Sequence, residues 1–180
     1  MRVGAIMPGG ALAGPVGRGK AARVAGVAAL MLAAAPAPGT MLHGDTAKCA
    51  RDAAGPAVHV RVTGFRDRQG QLRVQVYRAS EEEYLASGRY VARVDTQMTA
   101  AGDMAVCVPL PSAGPHVVAV LHDRDASGRL NPWRDGVGFA GNPRLGLSKP
   151  PLPRVTVEVA GVHRETVVLN YLRGLSVRPL

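Results

Sequence analysis

Apolar residues recur at every second position in several short stretches of this 180-residue chain. Val58, Val60 and Val62 fall on one face, with His59, Arg61 and Thr63 on the other, which is the pattern of a half-buried strand. Gly64 to Gly70 reads as a turn. Leu72, Val74 and Val76 then alternate with Arg73, Gln75 and Tyr77. The two runs predict a β-hairpin with a long loop. Ser80 followed by Glu83 has the form of a capping box and predicts one short helix. Further strands are expected over Tyr90 to Thr96, around Met104, Val106 and Val108, and around Val155, Val157 and Val159. Thr166 to Leu172 is expected as the last strand. The continuous apolar run Val117 to Leu121 fits a central strand. About seven short strands separated by turn signals predict an all-β fold, an antiparallel β-sandwich of the immunoglobulin-like or transthyretin-like kind.

The N-terminus follows a different pattern. Four basic residues, Arg2, Arg18, Lys20 and Arg23, precede the uncharged run Val24 to Ala35, and small residues and prolines follow. This is the order of a secretory signal. The apolar run is shorter than the roughly 20 residues that span a bilayer. Residues 1–39 are therefore expected to be a signal peptide, 40–56 a lead-in segment, 57–173 the sandwich and 174–180 a C-terminal tail. The expected location is the periplasm or the medium, with no stable membrane span after cleavage.

Composition agrees with this division. Hydrophobic residues make up 47% and aromatics only 4%, so Val and Leu must build the core. The net charge of +9 is concentrated partly in the leader, and no Lys/Arg cluster with interleaved aromatics follows it. Nucleic acid is therefore not an expected partner; an envelope ligand or protein is. In an oxidising compartment, Cys49 and Cys107 are expected to form a disulfide.

Chemistry is concentrated in the stretch after Leu121. Asp123, Asp125, Ser127 and Gly128 occupy the first, third, fifth and sixth places of an EF-hand-like loop. Arg129 would offer its backbone carbonyl, Leu130 would point inward as an apolar anchor, and Asn131 stands at the ninth place. The pattern breaks at the twelfth place, where Arg134 replaces a bidentate Glu and Asp135 comes one residue late. With no helical pattern on either side, a true EF-hand is excluded. A looser calcium loop and a plain Asp/Gly turn both remain open.

His122 beside Asp123 suggests an alternative, a small periplasmic hydrolase using His122 with Asp123 or Asp125. A lone His is more often structural, and no second His is placed to help it. No GxSxG elbow, P-loop or dinucleotide fingerprint is present. Trp133 and Phe139 lie in a Gly- and Pro-rich loop, where they either stack on a ligand or tuck under the loop to cap one end of the sandwich. The scarcity of aromatics favours the second. Gly138, Gly141 and Gly146 are expected at positive φ.

Three segments, VTGFRDRQGQLRVQVY, VVAVLHDRDASGRLN and DGVGFAGNPRLGLSKPP, occur in that order. Through them the chain from Val58 to Leu172 resembles the bacterial exported family known as domain of unknown function 2141. The resemblance implies a periplasmic or secreted β-sandwich and no assigned activity. It places Asp123, Asp125, Gly138, Phe139, Asn142 and Pro143 on the family's characteristic loop, so Asn142 joins the candidates. The leading expectation is an exported, non-enzymatic binding or structural module.

Overall fold

The structure, a computed structural model, describes residues 41–180. The expected signal peptide lies outside the described residues. Eleven strands follow one another: β1 (Leu42–Gly44), β2 (Ala57–Thr63), β3 (Gln71–Arg78), β4 (Ala92–Gln97), β5 (Met104–Pro109), β6 (Gly114–Asp123), β7 (Gly136–Phe139), β8 (Thr156–Val159), β9 (Val162–Val168), β10 (Asn170–Arg173) and β11 (Ser176–Arg178). They form two sheets. The first has the order β1-β5-β2-β9, and the second β11-β10-β7-β6-β3-β4, with β8 pairing the N-terminal half of β6. Most pairs are antiparallel, while β1–β5 and β2–β9 are parallel.

The alternation read from the sequence is the sandwich core. Val58, Val60 and Val62 on β2 and Met104, Val106 and Val108 on β5 meet Leu72, Val74 and Val76 on β3 and Val118 and Val120 on β6. These residues are buried, and a fully buried Val contributes roughly 1.5–3 kcal/mol. The fold is therefore an all-β sandwich, as expected.

Three expectations are corrected. β2 and β3 do not form a hairpin, because they lie in different sheets. A period of two says which face is buried and not which strand is the neighbour. The stretch from Ser80 to Glu83 is not a helix. Ser80 does cap, with its Oγ accepting from the Glu83 N–H at 3.2 Å, but only separate hydrogen-bonded turns follow, closed by the Tyr84, Ala86 and Arg89 N–H groups, and no helix. The two helical segments in the described residues are 3-10 turns at Thr46–Cys49 and Leu152–Arg154. The expected last strand is broken at Leu169. The chain there leaves β9 in one sheet and enters β10 in the other, so it turns a corner of the sandwich. The expected lead-in segment and C-terminal tail contribute β1 and β11 to the two sheets.

Cys49 and Cys107 form the expected disulfide, closing 58 residues of sequence. Cys107 alternates away from the main core on β5. With Cys49, Ala57, Leu42 and Val162 it makes a small separate cluster on the outer side of the first sheet.

Candidate functional site

The site is built where β6 ends. Asp123 faces Gln71 across the β3–β6 register and is buried. A buried carboxylate needs donors on both oxygens. Its Oδ1 accepts from the Ser127 N–H at 3.0 Å, and its Oδ2 accepts from the Gly128 N–H at 2.8 Å and Gln71 Nε2 at 3.0 Å. The chain thus wraps round its own first carboxylate. Gly70 permits the close approach beneath, because a Cβ there would lie 2.0 Å from the Asp123 carbonyl oxygen.

Asp135 closes the loop from its far end. It too is buried, with Oδ1 accepting from the Arg124 N–H at 3.0 Å and Oδ2 from the Asn131 N–H at 2.7 Å. Asp125 is exposed and accepts from the Ser127 N–H at 3.2 Å. One carboxylate oxygen from each of Asp123, Asp125 and Asp135 lies within 4.8 Å of the other two. The Ser127 Oγ sits 3.5 Å from Asp123 Oδ1 and donates to the Arg129 carbonyl at 3.1 Å. Three carboxylates therefore lie close together with the Ser127 hydroxyl beside one of them, and oxygen groups of this kind are what hard cations favour. The Asp125 carboxyl is held below its ordinary range, first by the Ser127 hydroxyl, so it is ionised near neutrality.

The sequence candidates distribute unequally. Asp123, Asp125 and Ser127 come together. Asn131 does not present its side chain there, since its Oδ1 accepts from the Trp133 N–H at 3.1 Å. Asp135, the residue that came one place late, supplies the third carboxylate instead. Arg134, at the place of the missing Glu, puts Nη1 3.7 Å from Asp125 Oδ2. Leu130 does not point inward but is 55% exposed.

Arg124 ties the loop to the segment between β2 and β3. Its Nε donates to Asp67 Oδ2 at 2.9 Å, its Nη2 to the same oxygen, and its Nη1 to the Arg134 carbonyl at 3.0 Å. The Arg124 guanidinium holds the Asp67 carboxyl below its usual range. Sequence reading missed Asp67 and Gln71, because nothing in a linear pattern reports that two loops share an edge.

His122 faces the core, fully buried. Its Nε2 donates to the Gln69 carbonyl at 3.0 Å, and its Nδ1 accepts from the Tyr171 hydroxyl at 2.7 Å, which in turn accepts from the Arg66 N–H. Both ring nitrogens are occupied, and burial pushes its pKa down, so the ring is neutral. Neither Asp123 nor Asp125 bonds to it, and the geometry gives the hydrolase reading no support.

The aromatic pair separates. Phe139 packs edge-on to Tyr84 at 6.3 Å, as a cap would. Trp133 does not tuck under the loop; it is 74% exposed. Asn142, at φ 45°, is a staple: Nδ2 donates to the Thr166 carbonyl at 2.7 Å and Oδ1 accepts from the Val168 N–H at 2.8 Å. Of the three glycines, only Gly141 has positive φ. Gly138 serves packing, since a Cβ there would lie 2.5 Å from Val167 Cγ1.

These features define a class: an all-β sandwich whose β6–β7 connection is organised round inward-turned carboxylates. The chain belongs to the bacterial family described as uncharacterized protein conserved in bacteria (DUF2141), whose sequence model matches residues 60–167. No curated protein and no solved structure matches the chain. No helix among the described residues is long and apolar enough to cross a membrane.

Proposed function

We propose that this protein is an exported, non-enzymatic binding module of the cell envelope whose Asp123–Asp135 loop is locked by calcium. The observation that carries the reading is the gathering of the Asp123, Asp125 and Asp135 carboxylates, with Ser127 Oγ beside Asp123. Calcium prefers several oxygen ligands in a flexible arrangement, and it tolerates a loop without the terminal Glu at reduced affinity. The signal-like N-terminus and the disulfide support an oxidising, calcium-accessible compartment.

Thermal unfolding of the oxidised protein in millimolar calcium and in chelator tests this. At about a hundred times the dissociation constant, binding adds about 2.7 kcal/mol, a rise of several degrees in Tm. The rise is expected to vanish in Asp125→Asn/Asp135→Asn. Equal melting with and without the ion would make the aspartates turn-formers only. Fractionation of cells that express the full chain tests export, and retention in the cytoplasm with the leader intact would overturn it.

A further inference from the structure

The outer face of the second sheet is divided in polarity. Along β3 and β4 it carries Arg73, Gln75, Arg93 and Asp95. Along β6, β7, β10 and β11, Ala119, Leu121, Val137, Phe139, Leu172 and Val177 point outward. A solvated sheet face is normally polar. Two adjoining cavities of about 420 and 220 Å³ lie over this apolar floor and share Leu85, Leu130, Val137 and Phe139 as walls. Exposed apolar side chains gather here, since Leu85, Tyr90, Leu130 and Leu147 all line the cavities. Such clustering marks an interaction site rather than the scattered apolar residues of any surface.

Leu85 adds an independent sign. It holds φ +59°, a conformation that glycine adopts at no cost, yet it carries a large apolar side chain that is 37% exposed. The strained backbone aims that side chain over the junction of the two cavities. Strain kept at such a place points to a contact made by the side chain.

Uncompensated positive charge lies at one end. Arg73, Arg93 and Arg129 line the larger cavity. Arg73 is buried, with Nε on Asp95 at 2.6 Å and Nη1 on the Gly128 carbonyl at 2.8 Å. Arg93 shares the same Asp95 at 2.6 Å, and Arg129 forms no ion pair among the described residues. Three guanidinium groups therefore face one carboxylate. The charged residues at the other end are already engaged, Lys149 by Glu81 at 3.3 Å and Asp135 by its two backbone donors.

We propose that this groove binds a linear amphipathic carboxylate, a single acyl chain with its anionic head at Arg73, Arg93 and Arg129 and its hydrocarbon along Val137, Phe139 and Leu147. The planar guanidinium fork suits a carboxylate head. A peptide fits less well. The floor is a sheet face whose backbone groups are paired within the sheet, so a peptide main chain would meet no donors or acceptors there. An acyl chain brings no such groups. This inference does not rest on calcium, although Gly128 to Leu130 form a wall of the groove.

The test is calorimetric titration of the purified protein with decanoate below its micelle concentration, in calcium and again in chelator. Decyltrimethylammonium, with the same chain and a positive head, is the control. Saturable one-to-one binding of decanoate in either condition, at least about ten-fold tighter than the cation, is expected. Arg93→Gln/Arg129→Gln, both at exposed positions, should remove that preference without changing Tm. Leu85→Gly should weaken binding with Tm unchanged or raised. No saturable decanoate binding in either condition overturns the proposal, whatever the outcome for calcium. Equal binding of both detergent-like probes, or of wild type and the arginine variant, overturns it as well. So does a concentration-dependent dimer that occludes Leu130 and takes up no decanoate, because it would assign the groove to a second copy.

Discussion

On the outer side of the first sheet, Cys49 is bonded to Cys107, and a 3-10 turn lies over a patch no larger than Leu42, Ala57 and Val162. On the outer side of the second sheet, the cover is the chain between β3 and β4 and the long connections on either side of β7. Under part of it Tyr77, Tyr84, Val117, Phe139, Leu145 and Val155 form a second small core. The rest of that face stays open as the groove. The first cover is short and covalent. The second is long and held by hydrogen bonds to Asp123 and Asp135, with Arg124 on Asp67 as a brace. A covalent bond closes a small patch with few residues. A carboxylate-centred loop needs more chain, and in return it presents exposed side chains such as Trp133 and Leu130. The uncovered chemistry is on the second face for this reason.

The largest test of this contrast removes the covalent cover. Cys49→Ala/Cys107→Ala should cost on the order of 4 kcal/mol, from the loop entropy returned to the unfolded chain. Urea denaturation reads it directly. A loss under about 1 kcal/mol would mean that β1 and its turn are held by packing alone.

Next comes the carboxylate at the root of the second cover. Asp123→Ala leaves the Ser127 and Gly128 N–H groups and Gln71 Nε2 without their acceptor and should cost about 3 kcal/mol. Hydrogen exchange should then show faster opening of residues 124–135 than of β5. Uniform loss of protection in both covers would show that they are not independent.

Acid should act on two imidazoles, His122 in the core behind the second cover and His59 on the outer side of the first sheet. Burial lowers the pKa of His122 from its ordinary 6.5. Burial, with Arg164, lowers that of His59 as well. Between each folded value and 6.5 the unfolded chain binds more protons, so stability should fall as pH drops below about 6.5. Asp67 works lower down. Its depressed folded value gives stability above its ordinary 3.8 that is lost as pH falls through the folded value. Melting measured from pH 7.5 to 5 checks the histidine part, and His122→Gln should flatten the slope. An unchanged slope in that variant would shift the effect to His59.

The smallest change expected is at the roof itself. The Tyr84 hydroxyl is buried without a hydrogen-bond partner, and burial pushes its pKa up to about 12. Tyr84→Phe should be neutral or stabilising by up to about 1 kcal/mol in thermal melts. A clear destabilisation would show that the hydroxyl has a hydrogen-bond partner in solution.

Much of this was legible along the chain. The alternating valines determined which faces are buried, because side-chain direction in a strand follows from sequence parity alone. Two cysteines after a signal-like leader were enough to expect their bond, and Asp123, Asp125 and Ser127 before Gly128 marked the loop. Pairing was another matter. That β2 joins β5 and β9 rather than β3, and that Leu169 turns a corner between sheets, depends on which surfaces complement each other across the core. The short β7 was hidden because Gly136 and Gly138 carry no periodic signal, yet their bareness is what lets Tyr171 and Val167 pack against them. Asp135, out of register for an EF-hand, reaches the other carboxylates because the irregular loop after Gly128 changes the spacing. The acyl-sized groove was invisible for the same reason: Arg73, Leu85, Arg129 and Phe139 are scattered in sequence, and only the folding of loops over one sheet face brings them together.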